Sequence, residues 1–263
     1  MANNYKTFWQ LSYKRPQTTE ATYSLSWERL LCLGFIAIIL TVLSVLLIDG
    51  SVQAYIWDIH SKPWIRFFKW VSWFGKSEWE LVPTVLIILS CWLFPFGKLT
   101  RRFKVFLVNL WQLALLVLAP VVATGLSIIL LKLIIQRPRP LNKMAHNEFD
   151  FFPFDLTAGF SSMPSGHTAT VVSGAIIVSV IVPWLRIPLL FGAAFIAFSR
   201  LAFMNHYFSD LVLGTAIAVA ITVPYLQFFA ARRVGIVQTK AGRLKLKPVW
   251  RTYLKRSKEQ DPK

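Results

Sequence analysis

Charge is thin in this 263-residue chain: 16% of residues are charged, where a soluble domain of this size carries about 25%. That shortage argues against an ordinary water-soluble globule. Cysteine is nearly absent as well. The two present, Cys32 and Cys91, both fall inside apolar runs, which argues against a disulfide framework. No cleavable leader is expected either: residues 1–29 are polar and aromatic, too long a lead for a signal peptide, so the first apolar run is expected to stay as an anchor. No internal repeat stands out. What the chain has in abundance is apolar and aromatic residues, 55% hydrophobic with 11 tryptophans.

The apolar residues are gathered into runs long enough to cross a hydrocarbon layer of about 30 Å. Six are expected to span: Leu30–Ile48, Leu81–Phe96, Phe106–Leu131, Thr168–Leu185, Ile187–Phe203 and Leu211–Ala230. The predicted fold is therefore all-α and polytopic, with residues 30–230 as one membrane domain between an N-terminal tail (1–29) and a basic C-terminal tail (231–263). Pro120 inside the third run predicts a tilted or kinked helix. Between the first two runs, Trp64, Phe67, Phe68, Val71 and Phe74 recur at helical spacing with Arg66 and Lys69 interleaved. That pattern fits an interfacial helix, and equally an aromatic belt at the end of a span.

The net charge of +17 is unevenly placed. The two tails and the even-numbered loops carry roughly two thirds of the lysines and arginines, which predicts that this side is cytoplasmic. The bias comes mostly from the C-terminal tail. That tail is expected to contact anionic lipid rather than nucleic acid, because it follows a span directly.

Three polar clusters fall on the opposite side. In "KLIIQRPRP", Pro138 disfavours helix at Arg137, so the third helix is predicted to end near Gln136 with Lys132 in its last turn. Alone, these cations read as well as snorkelling side chains. In "PSGHT", Ser165 can cap the fourth helix, Gly166 admits close backbone approach, and His167 stands at the rim of a helix N-terminus. Alone, this too is an ordinary helix start. In "SRLAFMNHYFSD", Arg200 closes one span, while His206 and Asp210 are four apart and share a face if the sixth helix begins before them. A carboxylate on one imidazole nitrogen makes the other a better nucleophile or base. The competing reading is a structural ion pair of Arg200 with Asp210. Together the clusters hold more cation than acid, so an anion is missing. With no Cys and only one Asp, they do not suit a metal cage; a phosphate suits the guanidinium forks.

In order, the clusters match K-x6-RP, PSGH and SR-x5-H-x3-D, and so the chain resembles the type 2 phosphatidic acid phosphatase superfamily. Of the duplicated "RPRP", only Arg139 has the family's spacing from Lys132. The resemblance implies a metal-independent enzyme that needs no cofactor. His206 would attack phosphorus, Asp210 would orient it, and His167 would protonate the leaving group and then activate water. Lys132, Arg139, Ser165, Gly166 and Arg200 would hold the phosphoryl oxygens. The implied partner is a lipid phosphate in a bacterial inner membrane, with the site facing the periplasm: undecaprenyl diphosphate, phosphatidylglycerophosphate, phosphatidic acid or lipid A. A lipid phosphotransferase and a non-enzymatic anion carrier remain the alternatives. No nucleic-acid partner is expected, oligomeric state is unreadable, and Cys32, Cys91, His60 and His146 are assigned no chemistry.

Overall fold

Helices dominate because apolar stretches of this length satisfy their backbone polar groups internally, as a lipid environment demands. A computed structural model describes residues 27–59, 61–93, 99–142, 149–154, 161–239 and 242–247. The helices are α1 (Trp27–Leu47), α2 (Asp49–Ile59), α3 (Lys62–Trp73), α4 (Glu78–Leu93), α5 (Arg101–Ile135), α6 (Gly166–Ile181), α7 (Arg186–Ala202) and α8 (Phe208–Ala231). Helices α1, α5 and α8, and α7 together with the 3-10 turn before it (Pro183–Ala202), are long and apolar enough to cross a membrane, whereas α4 and α6 are shorter, at 16 residues each. The N-terminal tail (1–26) and residues 248–263 lie outside the described residues.

Helix α6 is the hub, packed against α5, α7 and α8; α1 lies along α8, α4 along α5, and α3 along the site end of α7. Helix α5 passes through Pro120 as one 35-residue element, about 52 Å long at 1.5 Å per residue. It ends where its sequence predicts. Gln136 takes a left-handed conformation (φ 41°), and its amide donates to the Lys132 carbonyl. Small residues let α6 and α8 approach closely. A Cβ on Gly214 would lie 2.6 Å from the Ser165 carbonyl oxygen, so glycine is required there. Thr222 Oγ1 donates to Ser173 Oγ at 3.0 Å across the same seam.

The helical spacing of the first aromatic stretch becomes α3. Phe68 and Val71 are buried, with Phe68 against Ala202 and Phe203, while Phe67 and Phe74 stay about half exposed. The C-terminal region holds more than a tail. Strands β1 (Ile236–Gln238) and β2 (Leu244–Leu246) pair antiparallel. Ile236 is fully buried with Leu116, Ile177 and Phe229, and the Gly235 amide donates to Gln112 Oε1 at 3.1 Å. This hairpin closes the end of the bundle opposite the polar clusters.

Candidate active site

The three clusters meet at one end of the bundle. They comprise the C-terminal ends of α5 and α7, the N-terminal ends of α6 and α8, and the segments between them. The turn before α8 is tight. The amides of Asn205 and His206 both donate to the Arg200 carbonyl (3.1 and 3.2 Å), and Met204 takes φ 60°. A non-glycine residue is unusual in that conformation. Here the Met204 side chain is buried among Ile56, Ala197, Leu201 and Leu211, which holds the turn in place.

His206 precedes α8 rather than lying in it; the helix begins at Phe208. The two residues meet all the same, with Nδ1 of His206 at 3.3 Å from Oδ2 of Asp210. Asp210 reaches back from the first turn of α8. Its Oδ2 also accepts from the Tyr207 amide (2.9 Å) and from the Ser162 hydroxyl (2.5 Å). With Nδ1–H directed at the carboxylate, the lone pair of Nε2 is left for chemistry. Burial pushes the His206 imidazole down to about 4, helped by the charges of Arg200 and Lys132 and opposed by Asp210. It is therefore uncharged at neutral pH, as a nucleophile or general base must be.

The ion pair of Asp210 is with Arg137, not with Arg200. Arg137, set aside on spacing in favour of Arg139, is fully buried and donates to Asp210 Oδ1 (3.0 Å), Asp49 Oδ2 (2.8 Å) and Ser209 Oγ (2.7 Å). Its guanidinium also lies over the Tyr207 ring at 4.0 Å. Asp49 opens α2 and accepts from both the amide (2.9 Å) and the hydroxyl (2.5 Å) of Ser209. Asp49, Ser162 and Ser209 carry no pattern in the sequence. Asp49 is one acid beside an apolar run, and only the return of the chain 160 residues later gives it a role.

The remaining cations surround this pair. Arg139 donates to Asn205 Oδ1 at 3.1 Å, and burial lowers its affinity for its proton. Arg200 donates to Ser72 Oγ of α3 at 2.6 Å and lies over the Phe203 ring. Lys132 holds the Ser161 carbonyl and reaches the Ser162 carbonyl at 3.4 Å. The Nε atoms of Arg139 and Arg200 are buried without a hydrogen-bond partner among the described residues. Unpaired buried N–H donors are costly, and two guanidinium groups left so together suit a multidentate anion.

Ser165 caps α6 as predicted. Its Oγ accepts from the Thr168 amide (3.4 Å) and hydroxyl (2.9 Å), which leaves its own O–H free to donate. Its amide donates to the Asp210 carbonyl at 3.0 Å, so the starts of α6 and α8 are joined directly. Gly166 is the first residue of α6. His167 follows, within electrostatic reach of Arg200, His206, Lys132 and Lys76. All eight residues singled out in the sequence thus come together, joined by Arg137, Asp49, Ser162, Ser209 and Ser72.

Comparison with known proteins agrees with the family resemblance. Residues 109–233 match the model of the PAP2 superfamily. A lipid A 1-phosphatase of Rhizobium etli is 32% identical over 198 residues, spanning 73% of this chain and 80% of the relative. One of Rhizobium johnstonii is 29% identical, spanning 73% and 76%. Among solved structures, a transmembrane PAP2 type phosphatidylglycerolphosphate phosphatase from Bacillus subtilis shares the fold. Its TM-score is 0.53 and its identity 20%, over 76% of this chain and 94% of that one. The chain is a membrane phosphatase of the PAP2 superfamily.

Proposed function

We propose that this protein removes phosphate from a lipid A-type lipid phosphate through a phosphohistidine intermediate. The carrying observation is the buried Asp210–His206 pair beside two guanidinium groups whose Nε donors lack partners. Nε2 of His206 attacks phosphorus while Asp210 holds Nδ1–H and stabilises the developing imidazolium. His167 donates a proton to the departing oxygen, then takes one from the water that hydrolyses the intermediate. Arg139, Arg200, Lys132, the Ser165 hydroxyl and the Gly166 amide bind the phosphoryl oxygens as charge moves among them. Four cations, counting Arg137, face two carboxylates, so the surplus positive charge matches a phosphate monoester. The lipid A substrate is supported by the names of the two Rhizobium relatives.

The same reading places six spans, with α4 and α6 completing the set. It puts the catalytic end on the periplasmic face of a bacterial inner membrane and the basic hairpin end in the cytoplasm. The positive-inside bias supports this orientation. A reporter fused at Asn147 should be active only outside the cytoplasm.

The decisive test is phosphate release from purified protein, in EDTA, on a panel of lipid A, phosphatidylglycerophosphate, phosphatidic acid and undecaprenyl diphosphate. Turnover should be highest on lipid A and should vanish in His206→Ala. Radiolabelled phosphate should be trapped on His206 in acid-labile form. Full activity of His206→Ala, or label on another side chain, refutes the mechanism.

A further inference from the structure

Glu80 stands apart from the catalytic machinery. It lies in the first turn of α4 and faces a cavity of about 290 Å³ between α4, α6 and α7, otherwise walled by apolar residues such as Val171, Ile177, Leu189 and Ile196. The volume is at the lower end of ligand pockets, about 300–1,000 Å³. Its carboxyl rests on Gly174 of α6, where a Cβ would collide with Oε1. Oε2 is buried with no hydrogen-bond partner among the described residues. An unpaired ionised carboxylate is very costly in such a place, and an ionisable side chain within the bilayer is a functional suspect by default. A neutral carboxylic acid both donates and accepts a hydrogen bond.

The cavity adjoins the catalytic site. Ile196 lines it and also packs on Gly75; a Cβ at Gly75 would lie 2.7 Å from Ile196 Cγ2 and 3.3 Å from the His167 ring. Gly174, where the carboxyl rests, is seven residues along α6 from His167, about 10 Å at 1.5 Å per residue. That is the depth at which a lipid whose phosphate sits at His167 has the linkage between head group and chains. We infer that this cavity receives the proximal part of a substrate acyl chain, and that Glu80 selects lipids carrying a hydroxyl or amide N–H in that linkage. The inference rests on the lipid phosphatase reading above. Glu80 touches no reacting atom; it is a specificity residue and acts through binding.

The test uses two synthetic glucosamine-based lipid 1-phosphates assayed with full-length protein. One carries amide-linked 3-hydroxyacyl chains; the other carries ester-linked chains without the hydroxyl. Wild type should prefer the first by about tenfold in kcat/KM, mainly through KM, the worth of one well-made buried hydrogen bond. Glu80→Leu should erase the preference while leaving the second lipid's turnover unchanged, and Glu80→Gln should keep most of it. An unchanged preference in Glu80→Leu overturns the inference and leaves the phosphatase reading intact. If Glu80→Leu is inactive on both lipids, Gly174→Ala decides, because it displaces the carboxyl without altering it. A lost preference there supports the inference, and a retained one overturns it. No phosphate release by wild type from either lipid overturns the lipid A-type substrate reading and this inference together.

Discussion

At the scale of single residues, Asp210 shows how a carboxylate is paired and aimed within an apolar bundle. Its two oxygens have separate duties: Oδ1 takes Arg137, and Oδ2 takes Tyr207 N–H, Ser162 O–H and the ring of His206. Removing Arg137 strands two buried carboxylates, since Asp49 depends on the same guanidinium. Breaking one side of a buried ion pair costs about 3–5 kcal/mol. Arg137→Met should therefore lower the unfolding midpoint sharply in detergent as well as abolish turnover. Arg139→Met, whose side-chain partner is Asn205, should lose turnover with a much smaller stability change. His206 gives a second prediction. A histidine held at about 4, below its ordinary value of about 6.5, stays neutral as pH falls through 6.5 and gains its proton only near 4. The side-chain nitrogen shifts of His206 in NMR should follow that course. A titration midpoint at the ordinary value would contradict the burial described here.

At the scale of elements, the site depends on how closely α6 and α8 approach each other. Gly214→Ala would drive a methyl group into the Ser165 carbonyl, which is backbone and cannot swing aside. The cost should be about 1–3 kcal/mol, and the shift of the α6 start should reduce kcat by moving the Gly166 amide and His167 relative to His206. Thermal melting and turnover measured together check both effects. Ser165→Ala should cost about 1 kcal/mol through the lost cap and more in activity, because the same hydroxyl is the proposed phosphate donor. The element boundaries were largely legible in the sequence: Gln136 as the end of α5, Ser165 as the cap of α6, Arg200 in the last turn of α7. The start of α8 was harder to read, because His206 and Asp210 have helical spacing while only Asp210 is in the helix.

At the scale of the whole molecule, the ordered motifs picked out seven side chains and the Gly166 amide that the fold does bring together, because their chemistry is unusual in an apolar chain. The support beneath them was not recoverable. Asp49, Ser72, Ser162 and Ser209 are common residue types whose roles exist only after segments far apart in the chain are folded together. The hairpin was missed for a related reason. Its Lys and Arg residues read as a basic tail on anionic lipid, while the three-residue strands are too short to show a period. Ile236→Ala, in a fully buried position of the cluster that joins the hairpin to α5, α6 and α8, should cost about 2–5 kcal/mol with KM unchanged. A loss below about 0.5 kcal/mol would restore the reading of residues 231–263 as a mere tail.

The bond from Asp49 through Arg137 to Asp210 has a consequence for how the protein is made. It joins the second helix to the last, with the arginine supplied from between them. Until the ribosome has delivered α8 and the membrane has accepted it, neither His206 nor the carboxylate of Asp210 that anchors it is in position. On the proposed mechanism, a chain halted before that point should release no phosphate, so activity should begin only when insertion is complete.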